Sequence, residues 1–217
     1  MIESDMTKHS AVAAYSDPRL KNTSFDGRSP AVFLEAYADA LTSCLKAVDT
    51  DALAEAVEAI KASATKGGTV YLVGNGGSAA ICDHFVCDFI KGTFHADHPT
   101  VRAISLTENV ALYSAVANDL AFEDVFAFQL KMRLKAQDVL IAVSSSGNSG
   151  NILRAVAVAK SVGARSVGLS GFTGGRLKDD ADIALYLPFD NYGVVEDGHS
   201  ALLHVIAQLI ANNRDGR

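Results

Sequence analysis

Residues 70–88 read VYLVGNGGSAAICDHFVCD. Strand formers run into a glycine-rich corner, and a helical pattern follows that carries His84 and Asp88 four residues apart. A strand, a tight Gly-rich turn and a helix in immediate succession form the start of a βαβ unit. The rest of the chain repeats that rhythm. TVYLVG, VRAISL, DVLIAVS, ARSVGLSG and IALYLP are short, nearly continuous apolar runs without polar alternation. Such runs mark strands covered on both faces, as in a parallel sheet. Helical patterns separate them at crossover distance, at 78–92, 108–135, 149–162 and 194–212, with only a short Gly-rich turn and helix at 173–180. The expected fold is therefore α/β, a single doubly wound parallel five-stranded sheet flanked by helices.

Upstream, AVFLEAYADALTSCLKAV and TDALAEAVEAIKASATK show apolar residues at three- and four-residue spacing, which predicts two N-terminal helices within 29–68. Thr50 and Asp51 are the expected N-cap of the second, and Lys66-Gly67-Gly68 its stop. Residues 1–28 are polar and broken by Pro and Gly, and read as an arm outside the core. The sheet domain is expected over 69–213.

Two strand-to-helix corners share an unusual chemistry: Gly74-Asn75-Gly76-Gly77-Ser78, and Ser144-Ser145-Ser146-Gly147-Asn148-Ser149. Glycines bring backbone N–H groups close to a ligand, serine hydroxyls add donors, and a helix N-terminus adds partial positive charge. That combination suits a phosphomonoester without a lysine or arginine. A dinucleotide loop requires a third glycine that GNGGSA lacks, and a Walker loop requires a lysine that follows neither corner.

His84 and Asp88, at i and i+4, share a helix face. Far downstream, EDGHSALLHV places Glu196, Asp197, His199 and His204 near the start of the last helix. Were the two helices to pack together, two imidazoles and two carboxylates would make a reasonable zinc set. Spacing does not choose between Glu196 and Asp197. His204, flanked by Leu-Leu and by VIAQLI, is expected to face inward, and Cys82 and Cys87 are expected to pack in the interior.

Bulk properties exclude several classes. The chain has 217 residues, 49% of them apolar, and a formal charge of −6. No basic stripe exists to track a nucleic-acid backbone, and no run approaches the roughly 20 apolar residues that span a bilayer. The N-terminus lacks the apolar core of a secretory signal. Three cysteines without framework spacing fit a reducing, cytoplasmic setting.

GNGGSAAICDHF, AVANDLAFEDVF, DVLIAVSSSGNSGNILRA, GLSGFTGGRL and VVEDGHSALLHVIAQLI, in that order over about Val70–Ile210, resemble the sugar isomerase (SIS) domain of bacterial phosphoheptose isomerases. That resemblance implies conversion of sedoheptulose 7-phosphate to the corresponding manno-heptose 7-phosphate by a homotetramer with sites between subunits, commonly with bound zinc. It implies a sugar site at Asn75, Gly76, Gly77 and Ser78 with Asn118 and Asp119 beside it, and a phosphate site at Ser144, Ser145, Ser146 and Ser149. Metal ligands would be His84, Asp88, Glu196 and His204, which selects Glu196 over Asp197. Three positions depart from the family pattern: Asp88 stands for glutamate, Glu196 for glutamine, and Gly193 for aspartate. In the mechanism so implied, the serine loop anchors phosphate, His204 acts as acid on the oxygen side, and either Asp88 or Glu196 is the base. Two alternatives share the same residues: an isomerase of another phosphosugar, or a non-catalytic phosphosugar sensor or assembly partner.

Overall fold

The computed structural model describes residues 29–214, and the arm expected at 1–28 lies outside them. Helix α1 (Pro30–Lys46) starts where Ser29 Oγ accepts from the Val32 N–H at 3.3 Å, with proline at the first helical position. Helix α2 (Thr50–Thr65) is capped by Asp49, whose carboxylate accepts from the N–H groups of Asp51 and Ala52 at 2.9 and 3.2 Å. The cap thus lies one residue earlier than expected, because Asp49 is the last residue with extended backbone.

Five strands follow among the described residues: β1 (Thr69–Val73), β2 (Arg102–Ser105), β3 (Val139–Ser144), β4 (Arg165–Ser170) and β5 (Ile183–Tyr186). All pairs are parallel, in the order β2-β1-β3-β4-β5. The helices between and after them are α3 (Gly77–Cys87), α4 (Val110–Asp119), α5 (Ala127–Arg133), α6 (Gly150–Val162), α7 (Gly175–Asp180) and α8 (Tyr192–Arg214). The helical stretch expected at 108–135 breaks into α4, a 3₁₀ turn at Phe122–Asp124 and α5, the break falling at Ala121, whose backbone is extended.

Alternate strand residues feed two cores. Val70, Leu72, Val139, Ile141 and Val143 pack with Ile60 of α2, Phe85 of α3 and Leu203 and Ile206 of α8. Tyr71, Val73, Leu140 and Ala142 pack on the opposite face with Leu130 of α5, Ile152 and Ala155 of α6 and Leu177 of α7. The N-terminal helices therefore share a core with the sheet. The helix after β1 covers one face and the helix after β3 the other, so the crossovers diverge between these two adjacent strands. Such a divergence opens a crevice beyond the carboxyl ends of the strands, where ligands of open α/β sheets bind.

His199, on α8, is fully buried, and neither ring nitrogen has a hydrogen-bond partner of good geometry among the described residues. Burial pushes its pKa down to about 4, weakly opposed by the backbone of Ser170. A base with a depressed pKa binds its proton more readily when unfolded, so stability is fully present above the ordinary value and falls with pH from about 6.5 to about 4. A shift of that size corresponds to about 3 kcal/mol. Denaturant unfolding at several pH values checks this: the wild type loses stability over that window, and His199→Leu loses markedly less.

Candidate active site

Both corners lie at the divergence between β1 and β3, and two side-chain amides join them. Asn75 Nδ2 donates to Asn151 Oδ1 at 2.9 Å, and Asn151 Nδ2 donates back to Asn75 Oδ1 at 2.8 Å. Asn151, buried in the first turn of α6, was not singled out from the sequence, although it is the one amide in that helix. The second corner is fixed from below by its neighbours. Gly147 has φ +67° and donates to the Ser144 carbonyl at 2.9 Å, and a Cβ on it would overlap the Gly174 carbonyl oxygen. The Asn148 side chain accepts from the Arg176 N–H at 3.1 Å, and the Ser145 carbonyl accepts from the Gly171 N–H at 2.8 Å.

The crevice holds a cavity of about 140 Å³ lined by Asn75, Ser78, the four loop serines Ser144, Ser145, Ser146 and Ser149, and by Tyr192 and Glu196 from α8. Ser144 and Ser149 Oγ lie 3.3 Å apart. The buried Ser145 Oγ has no hydrogen-bond partner among the described residues. A buried hydroxyl left without a protein partner costs free energy unless a ligand or water engages it. Four hydroxyls at a helix N-terminus suit a phosphate dianion.

Glu196 leaves α8 directly against the start of α3. A Cβ on Gly77 would lie 2.5 Å from its Oε2, so a side chain there would push the carboxylate away. Burial, with the Asp197 charge next to it, raises the Glu196 pKa above the ordinary carboxylate range. Asp197 is occupied elsewhere, accepting from the Tyr37 hydroxyl of α1 at 2.6 Å. The same hydroxyl would lie 3.0 Å from a Cβ on Gly193, so Tyr37 fills the space beside that glycine.

The metal candidates gather further along the same two helices. His204 Nδ1 lies 3.0 Å and His84 Nε2 3.5 Å from one oxygen, Oδ2, of Asp88. The ligand atoms of all three fall within 4.8 Å of one another. Donors around a tetrahedral zinc with bonds of 2.0–2.1 Å stand about 3.3 Å apart, so this group fits a small cation. The His84 and His204 rings meet edge-on at 5.4 Å, and His204 also packs against the buried Phe85. Asp88 opens a single π-helical turn, Asp88–Gly92, where α3 ends, a distortion common at functional sites.

Glu196, expected as a fourth ligand, is not brought into this group. It stands eight residues before His204, about 12 Å of helix rise, and faces the beginning of α3 instead of its end. His204 is half-exposed, not inward as expected; the inward histidine is His199, three residues from Glu196. Cys82 is buried and Cys87 is exposed, so interior packing holds for the first only. Gly76 and Gly77 shape the first corner without lining the cavity. Asn118 and Asp119, hydrogen-bonded to each other at 2.8 Å, are exposed at the end of α4 and do not line it either. Tyr192 was not recognised in the sequence, because nothing there fixed which way the FDNYGV loop turns.

Replacing Asn151 by alanine leaves the Asn75 amide unpaired in the crevice, at a cost of about 1–3 kcal/mol. The expected outcome is a lower unfolding midpoint together with weaker binding of inorganic phosphate, measured by thermal denaturation and calorimetry.

Residues 35–171 match the SIS domain family. A phosphoheptose isomerase of Helicobacter pylori strain P12 is 33% identical, over 81% of this chain and 90% of its own length. The structure of a phosphoheptose isomerase from Francisella tularensis superposes with a TM-score of 0.77 at 31% identity, covering 83% of this chain and 95% of that one. Another from Neisseria gonorrhoeae gives a TM-score of 0.75 at 28% identity, covering 83% and 96%. The chain belongs to the SIS domain family.

Proposed function

We propose that this chain is a phosphosugar isomerase that converts sedoheptulose 7-phosphate to D-glycero-manno-heptose 7-phosphate. One observation carries the assignment of roles. The serine-lined cavity contains a carboxylate of raised pKa, Glu196, while the other candidate carboxylate, Asp88, is engaged by two histidines. One carboxylate cannot serve as tight ligand and free base together, and in this chain the two duties fall on separate residues.

The Ser144–Ser149 loop anchors the phosphate and fixes the register of the carbon chain. Glu196 takes the proton from C1 of the ketose, and the C2 oxygen gains a proton to give the enediol. Loss of the C1 hydroxyl proton and return of a proton to C2 complete the aldose. A pKa above the ordinary carboxylate range makes Glu196 a better base near neutral pH. His84, Asp88 and His204 hold the metal, which we assign as zinc from the mixed imidazole and carboxylate donors. When bound, zinc supplies Lewis-acid stabilisation of developing oxygen charge. His204, a ligand in that group about 12 Å of helix rise from Glu196, is not also assigned the acid's duty. Asn118 and Asp119 are proposed to reach the sugar of a neighbouring subunit in a homotetramer with shared sites; support comes from exposed apolar side chains such as Leu34, Phe94 and Met132. No helix among the described residues is long and apolar enough to cross a membrane. A cytoplasmic setting is proposed from the three free cysteines, Cys44, Cys82 and Cys87. Residues 29–68 are proposed as the helical cover of a sugar-phosphate domain at 69–213.

Turnover of sedoheptulose 7-phosphate by the purified chain tests the reading. Glu196→Gln is expected to lower kcat by about 10²–10⁴ with a small change in KM; full turnover in this variant would end the base assignment. His84→Ala and His204→Ala are each expected to lower zinc content, measured by elemental analysis, and turnover with it. Both variants keeping zinc and full activity would exclude the metal group.

A further inference from the structure

Tyr192 is the first residue of α8, and the preceding loop aims its ring. Asn191 caps the helix, accepting from the Val194 N–H at 3.0 Å through its side chain and from the Val195 N–H at 3.0 Å through its carbonyl. The ring then packs on Phe172, with centroids 4.8 Å apart and planes at 57°. Phe172 is itself unusual: among the described residues it is the one non-glycine with positive φ, at 52°. A bulky residue held there costs on the order of 1–2 kcal/mol and persists only where its surroundings over-determine it. Here they do. Its N–H donates to the Phe189 carbonyl at 3.0 Å, and its carbonyl accepts from the Tyr186 hydroxyl at 2.6 Å. Lys178 in turn sits 4.3 Å over the Tyr186 ring. Two aromatic side chains, Phe172 and Tyr186, and a strained backbone thus converge to hold one half-buried tyrosine against the cavity wall.

What that wall faces follows from its neighbours. Tyr192 and Glu196 are one turn apart on the same face of α8 and line the same cavity as the loop serines. A ligand anchored by phosphate at the serines, with its reacting carbons at Glu196, must run its intervening carbons through that cavity. An aromatic face there offers dispersion contact to C–H groups, and its hydroxyl offers one polar contact to a sugar oxygen. We infer that Tyr192, braced by Phe172, is a specificity-determining residue whose ring sets the length of phosphosugar carbon chain that the cavity accepts. This rests on the proposed phosphosugar function, and it adds a residue that discriminates among phosphosugars by size without touching the phosphate.

Equilibrium binding separates the two claims. Sedoheptulose 7-phosphate, a five-carbon ketose 5-phosphate and inorganic phosphate are titrated calorimetrically into the wild type, Tyr192→Ala, Tyr192→Leu and Tyr192→Phe, and KM and kcat are measured alongside. The expected result is a loss of about ten-fold in heptulose phosphate affinity in Tyr192→Ala. The preference between the two sugars changes by at least about five-fold, inorganic phosphate affinity is retained, and KM rises more than kcat falls. Tyr192→Phe restores most of the affinity, and Tyr192→Leu, which keeps bulk in the wall, is intermediate. Equal loss of inorganic phosphate and heptulose phosphate would overturn the inference, since the tyrosine would then only prop the serine loop. An unchanged preference between the two sugars in both Tyr192→Ala and Tyr192→Leu would also overturn it. Wild-type protein that binds the sugars without turning either over refutes the isomerase reading while leaving the tyrosine comparison intact. Wild type that binds none of the three ligands refutes both.

Discussion

Two side-chain amides, Asn75 and Asn151, each donate to and accept from the other across the crevice between β1 and β3. Everything proposed for the site depends on that crevice staying in register. The pair ties the glycine corner that leads to His84 and Asp88 to the helix whose N-terminus carries the serines. Because β1 and β3 are hydrogen-bonded neighbours whose crossover helices cover opposite faces, the amides close the divergence that the sheet topology opens. With Asn151 buried and Asn75 half-buried, leaving either amide unpaired is costly, which holds the two corners together.

The second organising relation is the parallel packing of α3 and α8. Gly77 of α3 meets Glu196 of α8, and His84 and Asp88, further along α3, meet His204, further along α8. Helix rise therefore separates the acidic residue of the cavity from the His/Asp group by about 12 Å along the axis. Two adjacent acids on α8 have different surroundings. Glu196 is tucked against a glycine and has a raised pKa, whereas Asp197 is drawn to the Tyr37 hydroxyl on α1. The absence of a side chain at Gly77 leaves room for the Glu196 carboxylate, which any larger residue at that position would displace.

Much of this was legible in the sequence. Apolar runs identified all five strands: the central β3 is buried along its whole length, while the edge strands β2 and β5 alternate in exposure. The serine corner announced its chemistry by composition, and His84 and Asp88 announced their shared face by spacing. What was not legible required helix-to-helix register. Spacing along α8 could not say that Glu196 would stop at the start of α3, nor that His199 would be the buried histidine and His204 the half-exposed one. A rotation of about 100° per residue makes such facing sensitive to where the helix is docked. Tyr192 was hidden for a related reason: its direction is set by Phe172, twenty residues away in a left-handed conformation that no local pattern marks.

In the proposed reaction a carboxylate in the serine-lined cavity moves a proton between the first two carbons of a phosphoketose. Turnover of sedoheptulose 7-phosphate by the zinc-loaded protein in deuterated water, followed by NMR, tests it most directly. The account predicts a heptose 7-phosphate carrying solvent deuterium at C2, placed there through the enediol. No conversion by the wild type, or unchanged conversion by Glu196→Gln, would contradict it.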